Sequence, residues 1–288
     1  MRRYFLARLS ILLLAASAAL AQKPPTALSI VRQSIEKDRF NFSRAKDYTY
    51  VQRNESRELN AQGKVTKVES TTFDVIMLGG RTYRRQIAAD DQPLPSGKAR
   101  KAQEGFDREV EKRSRESDHE KKKRAADEEK SRQESRAFLA EIPEAFLFTL
   151  AGEERVDGHL AWVIDAVPKP GWKGKVKRSE LLSKFKGRLW IDQREYQWVK
   201  VDATTIAPVS FGWVLAKLQP GARLSFEQKR FNDEVWLPVR AFTRVDARLA
   251  LFKNVRAEMD VAWKDYRKFQ ADSRVLNAEE VPSGKVEH

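Results

Sequence analysis

Residues able to do acid–base, nucleophilic or metal chemistry are scarce in this 288-residue chain. Its three histidines, His119, His159 and His288, stand far apart, and no His/Asp/Glu group has metal-ligand spacing. Asp165, Asp192 and Asp202 offer the pair of carboxylates that a glycosidase-type hydrolase needs, but acids in such strand-like segments are routinely solvated. The segment Pro170-Gly171-Trp172-Lys173-Gly174-Lys175 is rich in Gly and Lys, yet it lacks P-loop spacing and the Ser or Thr that follows. No Gly-x-Ser-x-Gly elbow occurs. Cysteine is absent, which excludes a thiolate metal site, an iron–sulfur centre, a disulfide scaffold and a cysteine nucleophile. No catalytic residue, metal or cofactor is expected, and the chain reads as non-enzymatic.

Aromatic residues are more informative. All seven tryptophans fall after residue 161, at Trp162, Trp172, Trp190, Trp198, Trp213, Trp236 and Trp263. Tryptophan suits either an apolar pocket or a filled core.

The elements that carry them read as antiparallel strands. After Pro24-Pro25, Leu28, Val31 and Ile35 recur at helical spacing with Thr26 as N-cap. Strand patterns follow at 47–53, 65–78 and 81–88, and again from residue 138 onward through hairpins at Asp157-Gly158, at residues 193–196 and at 232–234. Val235, Leu237, Val239, Ala241 and Val245 alternate with Trp236, Arg240, Phe242 and Arg244; Val255, Ala257, Met259, Val261 and Trp263 alternate with Arg256, Glu258 and Asp260. One face of the sheet is therefore apolar and needs a cover, supplied by closure or by helices. The spacing of Phe211, Val214, Leu215 and Leu218 predicts a short amphipathic helix over 208–218, the second cover after the first helix.

Residues 98–136 differ from the rest, with 14 Lys/Arg and 11 Asp/Glu in 39 positions. Acid-first pairs four apart, such as Glu104/Arg108, Glu111/Arg115 and Glu120/Arg124, predict one long charged helix. Its apolar stripe, Ala99, Ala102, Phe106 and Val110, predicts packing in the first third and solvation beyond it.

Charge takes its meaning from compartment. Arg2, Arg3 and Arg8, the apolar run Leu9 to Ala16, and Ala19-Leu20-Ala21 form the pattern of a secretory signal over residues 1–21. The run is shorter than the roughly 20 residues of a bilayer span, so an integral membrane protein is not expected. Removing residues 1–21 lowers the net charge from +14 by three arginines, to +11. On an exported protein this basicity points to anionic envelope surfaces, and nucleic acid is not an expected partner.

Gly187-Arg188-Leu189-Trp190-Ile191-Asp192, the Tyr196 turn, Val199-Lys200-Val201-Asp202 and Asn232-Asp233-Glu234-Val235-Trp236-Leu237-Pro238 together resemble the outer-membrane lipoprotein-sorting family, the LolA/LolB-like half-barrels. The resemblance spans about residues 137–268. It implies an α+β fold: an unclosed antiparallel β half-barrel covered by helices, here carrying a charged helical insertion. It also implies a periplasmic location and an apolar cavity that accepts a lipid or lipoprotein acyl chain. On this reading residues 22–97 and 137–268 form one half-barrel domain and 269–288 a flexible tail. Trp162, Ile191, Val201, Phe226, Leu237, Val239, Met259 and Trp263 would line the cavity, with Phe211, Val214 and Leu215 as lid. The alternative is a non-enzymatic envelope protein that acts through its basic surface or charged arm.

Overall fold

The computed structural model describes residues 24–78, 81–211, 216–249 and 253–268; the segments expected from the sequence to be a secretory signal, residues 1–21, and a tail, residues 269–288, lie outside these. Helix α1 (Ala27–Ala45) opens at Thr26, whose hydroxyl accepts from the Ser29 amide at 3.2 Å. Strands β1 (Tyr48–Leu59), β2 (Val65–Leu78) and β3 (Arg81–Ala89) form a meander, with the two-residue β4 (Gln92–Pro93) at its edge. Helices α2 (Ser96–Ser114) and α3 (Asp118–Ala145) come next. Then follow β5 (Phe146–Val156), β6 (His159–Pro168), a 3-10 turn (Ser179–Lys184), β7 (Phe185–Asp192), β8 (Trp198–Thr205), β9 (Val209–Phe211), β10 (Ala216–Leu218), β11 (Arg223–Phe231), β12 (Val235–Leu249) and β13 (Lys253–Lys268).

The strands form one antiparallel sheet in the order β4-β3-β2-β1-β13-β12-β11-β8-β7-β6-β5. Its end strands do not pair, so the sheet is an unclosed half-barrel, and the α+β class expected from the sequence is the class observed. The hairpin turns use the conformations their residues favour: in the two-residue connection Asp157 and Gly158 take φ of +48° and +83°, and in the three-residue connection 232–234 Asn232 and Asp233 take +49° and +53°. β13 returns to pair with β1, which joins the first meander to the last hairpin.

The 208–218 helix is not formed. Residues 209–211 and 216–218 are strands, paired to each other and, through Ala216–Leu218, to Leu249–Ala247 of β12. The cause is tertiary. β12 outruns β11, whose register ends at Arg223↔Arg244, and the exposed backbone beyond that point takes β10 as its partner. Lid residues Val214 and Leu215, and the side chain of Phe211, lie outside what is described.

The charged insertion is two helices rather than one. Ser117 caps α3: its hydroxyl accepts from the Glu120 amide at 3.3 Å, and Glu120 Oε2 accepts from the Ser117 amide at 2.8 Å. Arg115 pairs with Glu111 as its spacing predicts, whereas Arg124 pairs with Glu116 and Glu128. Phe106 packs edge-on against Tyr83 of β3 at 6.1 Å, so the apolar first third of the insertion does pack. α3 continues through Pro143 to Ala145, where the sequence pointed to an approach to a strand. Among the described residues no helix is long and apolar enough to cross a membrane.

Candidate functional site: an apolar row across one face

Paired residues of an antiparallel sheet share a face, so the registers trace single rows across the whole sheet. One row runs Leu150–Ile164–Leu189–Val201–Phe226–Ala241–Val261 over β5, β6, β7, β8, β11, β12 and β13, then turns polar at Asn54 and Thr71. Two residues along the strands, on the same face, lies a second row, Gly187–Ala203–Leu224–Thr243–Met259–Ser56. The row on the other face, Asp165–Arg188–Asp202–Ser225–Phe242–Asp260–Glu55, is almost wholly polar. Strand alternation therefore makes this face apolar along the whole row, while on the opposite face a buried cluster of Ala161, Val163, Trp190, Val199 and Trp236 is confined to the β6–β7 end.

Helix α1 covers only part of that face. Ala27, Ile30 and Val31 seat on Trp162, Ile164, Leu189 and Ile191, and Ile164 and Ile191 are 0% exposed. The other end of α1 brings Ala45 to a second cluster of Tyr48, Val235 and Leu237. Between and beyond these contacts the face opens. Val201 still packs against the edge of the α1 cluster; beyond it Phe226, Ala241, Val261 and Trp263 are half-buried, while Leu224 is 43% and Met259 53% exposed. Gly187 fits its row because the strands close in there: a Cβ would lie 2.7 Å from the Asp202 carbonyl oxygen.

The eight predicted cavity residues thus divide. Trp162 and Ile191 sit in the core beneath α1, and Leu237 sits in the Tyr48 cluster. Val201, at the edge of the α1 cluster, is the direct neighbour of Phe226, where the row opens, and Met259 and Trp263 share their face on β13. Val239 is half-buried at a register shift opposite Glu227 and Gln228, which interrupts the alternation of β12. Leu224, Ala241 and Val261 belong to the open strip as well. Ala241 and Val261 were visible in the sequence as members of an apolar alternation, but only the register shows which members α1 leaves uncovered.

The polar residues with chemical potential are engaged elsewhere. Asp165 takes both arms of the Arg188 guanidinium at 2.6 and 2.9 Å, which holds its carboxyl below the usual range. Asp192 is buried and accepts from the Arg194 and Glu195 amides at 2.9 and 2.6 Å, with His159 Nδ1 3.3 Å away. Asp202 pairs with Lys200 at 3.3 Å. Among the described residues no group of three His, Cys, Asp or Glu is placed to hold a metal ion. At the far end of the α1 face, burial raises the titration of Tyr50 and Tyr266, so both hydroxyls stay neutral and add no charge to it. A cavity of about 910 Å³ opens elsewhere, between Phe138 and Leu139 of α3 and the loop at Val176 to Arg178.

These features define a class of architecture: an open antiparallel half-barrel with one helix laid over part of its apolar face. Among solved structures the chain is similar to a LolA superfamily protein from Nitrosomonas europaea, at 10% identity over 85% of this chain and 94% of that one, with a TM-score of 0.29. It is similar also to an outer membrane lipoprotein-sorting protein domain from Vibrio parahaemolyticus, at 13% identity over 85% and 95%, with a TM-score of 0.30. A third similar structure is the MucA/MucB complex of Pseudomonas aeruginosa, at 9% identity over 85% and 99%, with a TM-score of 0.23. The first two carry the name of the family that Gly187 to Asp192 resembles; at these TM-scores the likeness carries no argument about activity. No protein-family model and no curated protein matches the chain.

Proposed function

We propose that the chain is an exported, periplasmic, non-enzymatic carrier or sensor that holds a lipid or lipoprotein acyl chain non-covalently against the open strip of the α1 face. One observation carries this reading: Val201, Phe226, Ala241 and Val261 form a continuous apolar row that leaves the roof of α1 partway across the sheet, flanked by the exposed Leu224 and Met259. Apolar surface left open beside a filled core is poorly explained as packing, and a chain of methylenes gains roughly 0.8 kcal/mol for each CH2 it buries there. Val239 and Trp263 would extend the lining. The test is titration of the mature protein, residues 22–288, with a fluorescent fatty acid, together with solvent extraction of the protein as purified. Saturable binding that Phe226→Asp abolishes supports the reading. Absence of both binding and extractable lipid overturns it.

A further inference from the structure

On the solvent side of α1, away from the apolar strip, Lys37, Phe40 and Arg44 follow one another at spacings of three and four, so they share one helix face. They line a cavity of about 400 Å³ with Asn41, the turn residues Arg194, Glu195 and Gln197, and Glu234 and Trp236. Its charge is lopsided. Both acids are already engaged: Glu195 pairs with Arg230 at 2.7 Å and accepts from the Trp236 indole at 2.8 Å, while Glu234 takes Lys268 at 2.7 and 2.9 Å and the Tyr48 hydroxyl at 2.7 Å. Lys37, Arg44 and Arg194 are left as exposed cations around the opening, with one arm of Arg44 spent on the Glu234 carbonyl. Phe40 stands among them 70% exposed, the most exposed of the large apolar side chains described. Gln197 is only 5% exposed and carries an Oε1 with no hydrogen-bond partner.

We propose that this is a docking site for the headgroups of an anionic phospholipid bilayer. Phosphates would meet Lys37, Arg44 and Arg194, and the Phe40 ring would enter the acyl boundary. A lone aromatic in solvent, ringed by cations, is the chemistry of an interface that is apolar beneath and anionic above. The proposal does not depend on acyl-chain binding, since it uses the solvent side of α1 and the open strip lies on the sheet.

The test is co-sedimentation of the mature protein with vesicles of phosphatidylcholine, with and without phosphatidylglycerol. Binding is expected only to the anionic vesicles and is expected to fall with salt. The double variant K37Q/R194Q should weaken it about 25-fold, at about five-fold per charge, and F40S about ten-fold. The charge-matched control K121Q/K122Q on α3 should change it less than about two-fold, and thermal melts confirm that each variant is folded. Equal weakening by the control, or equal binding to both vesicle types, overturns the proposal. Displacement from vesicles by millimolar inorganic phosphate at constant ionic strength also overturns it, since that marks a pocket for free phosphate. Because fatty-acid titration uses no vesicles, the two readings fail separately.

Discussion

Two stretches of one row have the same register, the same strand geometry and similar residues, yet opposite environments. Ile164 and Leu189 are sealed by Ile30 and Val31 of α1, whereas Phe226, Ala241 and Val261 have no helix over them among the described residues. The difference is one of reach. A helix of 19 residues spans about 28 Å at 1.5 Å per residue, while ten strand spacings across an eleven-strand path come to nearly 50 Å before curvature. A single helix cannot roof such a face, so alternation that continues past it leaves apolar area in the open.

Mutations separate the two stretches by what they cost. Ile164→Ala empties a fully buried site and should lower stability by about 3 kcal/mol, read as a denaturant midpoint shift, with little effect on fatty-acid affinity in the folded fraction. Phe226→Ala should invert that pattern: a stability loss of about 1 kcal/mol, since the ring is only partly buried, and an affinity loss of about ten-fold. If Phe226→Ala proves as destabilising as Ile164→Ala and leaves affinity untouched, the open strip is core and the comparison collapses.

The sequence makes one stretch legible and conceals the boundary between them. Alternation placed Val261 and Met259 on one side of β13, and Asp157-Gly158 announced its hairpin, because period and turn chemistry are local. Two features were less visible. The strands at 209–211 and 216–218 depend on backbone that β12 leaves unpaired beyond Arg244, about thirty residues away, while the local 3–4–7 spacing imitates a helix. Which apolar residues α1 covers depends on its path across the sheet, so Trp162 and Met259, both read as cavity lining, prove to be 8% and 53% exposed. The break at Ser117 was present in the sequence as Ser-x-x-Glu, but the run of charge pairs on either side masked it.

The roof itself can be loosened without touching the sheet. Thr26 caps α1 through its bond from the Ser29 amide, and Thr26→Ala should cost about 1 kcal/mol by leaving that amide unpaired in the first turn. Amide exchange should quicken over residues 27–35 and remain unchanged in β12 and β13. Exchange that quickens equally throughout would mean that α1 and the open strip unfold as one unit, against the division drawn between them.

The smallest effect lies on the back of the roofed stretch, where Asp165 and Arg188 stand one residue along from Ile164 and Leu189. The guanidinium holds the Asp165 carboxyl below its ordinary range. A carboxyl depressed in the folded state stabilises above its unfolded value, about 3.9, and that contribution is lost as pH falls through the lower folded value. Both side chains are more than two-fifths exposed, so solvent limits the gain to less than about 1 kcal/mol. Asp165→Asn should therefore be slightly less stable than the parent at pH 7, and the gap should narrow below about pH 4. Denaturant midpoints at the two pH values measure it. A gap that stays constant would show that Asp165 acts through packing against its strand neighbours, in which case the back of the sheet, where Val163 and Trp190 are buried, supports the core as much as the helix in front does.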